Sequence, residues 1–334
     1  MRSRGFTLIE LMVSMALFGL IAVGAMSLVM SGARMQAHSS RVDLAQNSLR
    51  TALDLITRDV LAAASGAKNT GMITIPGGTT VNAIDFTGNA EPSAPYANGT
   101  DKLELYSVDG STIAQLTSAV AGSATTLPIS YETLGSHVTV GSFTKTTSPY
   151  NSWVQVFDFN SAAVAQLTGV SGTTLTVSAM PAGFAASAYV APSRHVIYYV
   201  ADKYFQSATT SANSSMLMMA VNDTAANALP LAEGVEDLQI AYGFDNDGDG
   251  VVTEKGATAN DDEWLFNVSG ETQGTWLPTN LRKVRITIVA TSTSVDTGAK
   301  MPARPAEEDH AAGTSTLGFV RRVLRTEIAV RNLN

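Results

Sequence analysis

The sequence predicts an α+β protein in which a long N-terminal α-helix, apolar in its first half and amphipathic in its second, packs on a C-terminal antiparallel β-sheet domain. Three observations predict it. Residues 11–33 carry no charge and are mostly apolar. Residues 44–63 repeat apolar side chains at three- and four-residue spacing. From residue 70 onward, short alternating or β-branched runs are separated by Gly, Pro, Asn and Ser clusters, the pattern of strands and turns.

The chain has 334 residues, 45% of them hydrophobic, enough to bury the core of one large domain or two small ones. Its formal charge of −8 makes it a poor generic binder of nucleic acid, and none is expected as a partner. With no cysteine, disulfides, thiolate metal sites and cysteine nucleophiles are excluded. There is no Gly-x-Ser-x-Gly string, and the four histidines, His38, His137, His195 and His310, show no zinc spacing. The chain is not expected to be an enzyme.

The uncharged run from Leu11 to Ala33 is 23 residues long. At about 1.5 Å per residue it spans roughly 35 Å, enough to cross the hydrocarbon core of a bilayer. Arg2 and Arg4 precede it, opposed only by Glu10. The positive-inside tendency therefore keeps the N-terminus cytoplasmic and sends the bulk of the chain outward. An ordinary secretory signal is cut after its apolar run, at small residues, whereas here the basic segment before the run is only five residues long. The string Arg4-Gly5-Phe6-Thr7-Leu8-Ile9-Glu10 instead resembles the class III leader of type IV prepilins and pseudopilins. The resemblance implies a leader of residues 1–5, a prepilin peptidase cut between Gly5 and Phe6, and N-methylation of Phe6. It also implies a membrane and filament-core helix over 6–33. A carboxylate one turn into a membrane helix is costly unless paired. For Glu10 the resemblance implies a partner in the N-terminal amine of a neighbouring subunit, which would set axial register in the filament.

Beyond Arg34 the helix is expected to continue to about residue 65. Leu49, Ala52, Leu53, Ile56, Val60 and Ala63 form one apolar face of the half spanning 34–66. Arg50 with Asp54, and Asp54 with Arg58, sit four apart on the other side. Ser65-Gly66 supplies a stop.

Residues 67–334 are expected to form an extracytoplasmic β-rich domain. Candidate strands are 72–75, 103–108, 125–131, 137–143, 153–159, 173–177, 195–200, 216–221, 238–244, 284–290 and 320–330. The region 118–192 reads as a small β subdomain inserted in the larger sheet. In the last hundred residues, the run from Leu229 through Gly243 leads into an Asp-rich loop. A Trp, then Leu281-Arg282-Lys283-Val284-Arg285-Ile286, and finally Arg321-Arg322-Val323 follow. This order resembles the PilW-type minor pilins and, less closely, the J-type pseudopilins of type II secretion. The PilW resemblance implies a subunit of the priming or tip complex of a type IVa pilus. It would sit in the inner membrane before assembly and in the pilus afterwards, beside major and other minor pilins and a tip adhesin. The readings left open are a type II secretion pseudopilin and a membrane-tethered, calcium-dependent binding protein that never enters a filament.

Asp245-Asn246-Asp247-Gly248-Asp249-Gly250 places carboxylates at the first, third and fifth positions of a loop with glycine at the sixth, the opening of an EF-hand-type calcium loop. Val251 falls where a backbone carbonyl would coordinate. The twelfth position is Gly256, where the motif needs a bidentate glutamate, so Glu254 or one of Asp261, Asp262 and Glu263 must complete the shell. The alternative is a solvated acidic turn. The groups Arg282, Lys283, Arg285 and Arg321, Arg322, Arg325 are expected on solvated strand faces.

Overall fold

The computed structural model describes residues 8–87, 99–110, 112–130, 143, 153–201, 215–222, 228–254, 262–268, 276–291, 303–313 and 321–333. The chain falls into two compact units that meet between Asn47 and Ser48.

Helix α1 is continuous over Leu8–Ala62. Its Leu8–Ala33 segment has mean hydropathy 2.2 and no buried residue, which by length and composition suffices to cross a membrane. Phe18 and Leu28 are 74% and 78% exposed, a degree of apolar exposure that calls for lipid or other subunits around the helix. Within this segment the Ser14 hydroxyl donates to the Leu11 carbonyl at 2.9 Å, so the polar group is satisfied inside the helix. Glu10 lies in the first turn and is exposed.

In the second unit Leu49, Ala52, Ile56, Val60 and Ala63 are buried, and the predicted apolar face is the face that packs. The helix stops because Ala64 and Gly66 turn to positive φ, at 60° and 84°. A Cβ on Gly66 would lie 2.7 Å from the Gln155 side chain and 2.8 Å from the Phe157 ring, so only glycine fits. Asn332 caps the end, its Nδ2 donating to the carbonyls of Leu61 and Ala63 at 3.1 and 2.8 Å.

The strands that follow are β1 (Met72–Thr74), β2 (Thr80–Asn82), β3 (Lys102–Val108), β4 (Ala114–Leu116), β5 (Thr126–Ser130), β6 (Trp153–Phe157), β7 (Ala162–Ser171) and β8 (Thr174–Val177). After them come β9 (Tyr189–Ala201), β10 (Met216–Val221), β11 (Leu229–Glu233), β12 (Val235–Phe244), β13 (Trp264–Leu265), β14 (Leu281–Thr291) and β15 (Arg321–Ala329). Among the described residues they form an 11-stranded sheet from β1 to β11 and a 4-stranded sheet in the order β13-β12-β14-β15. Pairing is antiparallel except for the single contact of β1 with β7. The protein is α+β, as the sequence predicts.

Strand β9 organises the larger sheet. Its length lets it pair with β6 through residues 189–192 and with β3 through residues 193–199, while β10 lies along its other edge at 196–201. The main core joins α1 to both sheets through Leu105, Tyr198, Leu238, Ile240, Val284 and Ile288. A second core, including Leu116, Ile129, Val156, Leu175 and Val190, fills the part of the larger sheet built from β4 to β8. The expected strand at 137–143 lies outside the described residues apart from Phe143.

Asp59, buried near the end of α1, ties the helix to the larger sheet. Arg194 Nη1 reaches its Oδ1 at 2.5 Å and the Tyr198 hydroxyl donates to its Oδ2 at 2.6 Å. Burial, and then the Asp59 charge, push the Tyr198 phenol far above its ordinary range, so it stays a donor.

Candidate functional site

The Asp-rich loop leaves the end of β12, which pairs with β13 and β14 in the smaller sheet. Gly243 in β12 is a close approach, since a Cβ there would lie 2.8 Å from Val252 and 3.3 Å from Trp264. The lack of a side chain lets the segment after the loop fold back over the strand. Asp245, only 6% exposed, anchors the loop, its backbone N–H donating to the Asn280 carbonyl at 2.9 Å. Its Oδ2 stands 3.5 Å from Arg282. Gly248 and Gly250 take positive φ of 78° and 84° and make the tight turn. Asp247 Oδ1 accepts from Asp249 N–H at 3.0 Å, and Asp249 Oδ1 from Val251 N–H at 2.7 Å.

Oxygens of Asp245, Asp247 and Glu263 converge within 4.8 Å of one another, and this cluster can hold a metal ion. Glu263, the residue before β13, is held in place by the loop. Its Oε1 accepts from the N–H groups of Asn246 and Asp247 at 2.8 and 3.4 Å, and its Oε2 from that of Thr253 at 2.8 Å. Of the sequence candidates, Asp245 and Asp247 are therefore brought together with Glu263. Glu254 is turned to Arg285 at 2.8 Å, the Asp249 carboxylate is engaged by the loop backbone, and Val251 is exposed. Asp261 lies outside the described residues, and Asp262 caps Trp264 N–H at 3.0 Å.

Of the basic strand residues, Arg322 and Arg325 lie exposed as the sequence suggests, whereas Arg285 does not. Arg285 is 3% exposed, with its guanidinium carbon 3.9 Å from the Trp264 ring centroid. Lys283 pairs with Glu327, Arg321 with Glu236, and Arg325 with Glu307. Alternation along a strand predicts one exposed face, but here strap residues 303–313 and neighbouring acids supply partners that local pattern cannot show. The strap is clamped by Asp237, fully buried on β12, which accepts from Arg304 at 2.6 Å and faces His310 Nδ1 at 3.0 Å. Arg304 also donates to the Ala311 carbonyl.

Sequence reasoning leaves the processing residues Gly5 and Phe6 as expectations, since both lie outside the described residues. It missed a cluster around β3 and β9, where His195 Nε2 meets Glu104 at 2.8 Å and stacks on Tyr106 with centroids 4.2 Å apart. The signal was there in outline. Glu104, Tyr106 and His195 share alternating positions on two strands, but only the observed register sets Tyr106 opposite His195.

Residues 1–26 match the prokaryotic N-terminal methylation motif. An apolar helix beginning under that motif and carrying a β-rich domain defines a type IV pilin-like protein. Residues 197–332, from within β9 to the C-terminus, match the family described as Type IV Pilus-assembly protein W. The chain is thus a type IV pilin-like minor pilin with a PilW domain. No curated protein matches it. Among solved structures, a type IV-like pilin from Thermus thermophilus aligns with 10% identity and a TM-score of 0.36, covering 86% of this chain and 96% of its own. The methylation motif implies processing by a prepilin peptidase, and membership in the pilin class implies a structural, non-enzymatic subunit.

Proposed function

We propose that this chain is a subunit of the priming or tip complex of a type IVa pilus, promoting assembly and presenting an adhesin. The observation that carries the reading is the PilW match on the same chain as a methylation motif and a helix able to span a membrane. Residues 1–5 are the leader, cut between Gly5 and Phe6, with Phe6 then methylated. The helix over 6–33 holds the subunit in the inner membrane, N-terminus inside and the domain of 67–334 outside. Glu10 then meets the N-terminal amine of a neighbouring pilin, since pairing offsets the cost of a carboxylate in an apolar medium. Loss of the gene is expected to leave few or no surface pili while type II secretion continues, scored by electron microscopy and exoprotein assay. Normal piliation with failed secretion would assign the chain to the secretion pseudopilus instead.

The convergent oxygens of Asp245, Asp247 and Glu263 favour a second role in the same reading, binding of calcium by a loop of hard ligands. Glu254 can add to the shell by leaving Arg285, and the Val251 carbonyl lies at the loop position that coordinates in such turns. In calorimetry on chelator-treated protein, calcium is expected to give heat that Asp247→Ala and Glu263→Gln abolish. At a hundredfold excess over Kd it would raise stability by about 2.7 kcal/mol. Absence of heat at millimolar calcium would make the loop a solvated acidic turn.

A further inference from the structure

Along β9, Arg194 and Tyr198 reach Asp59 on α1, so the alternating positions Ser193 and His195 face away from the helix. On that side lies a cavity of about 330 Å³. Its two ends differ in chemistry. Ile75, Pro76 and Val164 form an aliphatic wall, and the rings of Tyr106 and Trp153 add apolar surface. Ser193, His195 and Asn222 form the polar end, tied together because Asn222 accepts from His195 N–H at 2.7 Å and donates to the Ser193 carbonyl at 3.2 Å.

Two features of this polar end point to a ligand. The Ser193 hydroxyl is buried, in a residue only 3% exposed, and has no hydrogen-bond partner. Such a group is costly unless something in the cavity pairs with it. The His195 ring presents Nε2 to the Glu104 carboxylate, which fixes that nitrogen as donor and leaves Nδ1 an acceptor in the neutral ring. Burial alone would raise the Glu104 pKa. His195 and Lys102 override it and hold the group at about 2, so the carboxylate is ionised at neutral pH. Lys102 at 3.2 Å compensates its charge, and among the described residues the cavity lining presents no carboxylate, ammonium or guanidinium to an ionic ligand.

We propose that this cavity binds a phenol ring, the chemistry of a tyrosine side chain, with the ring against Trp153 and the aliphatic wall and its hydroxyl among Ser193, His195 and Asn222. The hydroxyl donates to one acceptor and accepts from Ser193, removing the orphan. A sugar fits worse, because most of its hydroxyls would face Ile75, Pro76 and Val164 without partners. The assignment goes beyond the pilus reading and does not depend on it.

The test uses the full chain in detergent, observed by saturation-transfer NMR, with detergent alone as blank. N-acetyl-tyrosinamide probes a side chain on a polypeptide and p-cresol a free phenol. Binding of both identifies a site open to a tyrosine of another chain, and binding of p-cresol alone identifies a site for free phenols. In either case N-acetyl-phenylalaninamide or toluene, lacking the hydroxyl, is expected to bind about tenfold more weakly than its partner. Ser193→Ala should produce the same tenfold loss while melting like wild type, since it removes an unpaired group; Trp153→Leu should weaken binding further. If neither probe binds at millimolar concentration, or if Ser193→Ala binds the hydroxylated and unhydroxylated probes as wild type does, the proposal is overturned.

Discussion

Replacing Asp237 with alanine is expected to destabilise the protein by about 3–5 kcal/mol, because it strips a buried charge of its partner. Asp237 is fully buried on β12, and Arg304, whose side chain is 9% exposed, points its guanidinium at it from 2.6 Å. His310 and Gln239 also reach the carboxylate, at 3.0 and 2.8 Å. Alanine would leave the Arg304 charge in a site closed to water and release the strap of 303–313 from the smaller sheet. Denaturant melts of the full chain should show a lower midpoint. Asp237→Leu combined with Arg304→Met should recover much of the loss, since removing both charges removes the desolvation problem. A single substitution costing less than about 1 kcal/mol would mean that water reaches Arg304 and that the strap is held by other contacts.

Asp59→Ala should cost somewhat less, about 2–4 kcal/mol, for a related reason. One carboxylate there satisfies two groups from β9, the Arg194 guanidinium and the Tyr198 hydroxyl. Arg194 is 30% exposed on its side chain and can turn to water, whereas Tyr198 is fully buried and cannot. The loss should therefore fall mainly on the tyrosine. Tyr198→Phe in the Asp59→Ala background is expected to recover stability, although in the wild type the same change is destabilising. Additive effects would show that the two residues do not share a bond in solution.

These two carboxylates mark where the sequence ceases to be legible. The apolar face of α1 could be read because 3.6-residue periodicity is local, and Leu49, Ile56 and Val60 are buried where it places them. Strands β3, β10 and β14 could be read because alternating, apolar and β-branched runs bounded by turn residues are also local. Strand β7 could not. Its Ala162, Ala163, Val164 and Ala165 are all buried, so no alternation betrays it, and alanine favours no strand. In the candidate metal site, Asp245 and Asp247 follow from loop spacing, whereas Glu263 depends on the chain returning to pair β13 with β12. Asp59 shows the same limit, since its partners lie 135 and 139 residues away.

The central claim is that this chain enters a filament, and the most direct measurement is N-terminal mass analysis of sheared surface filaments from wild-type and Glu10→Ala cells. The account predicts a mature chain beginning at methylated Phe6 in the wild-type filaments, with the chain lost or strongly depleted when Glu10 is replaced. An uncut chain confined to the membrane, in amounts indifferent to the residue at position 10, would contradict it and leave a tethered binding protein in its place.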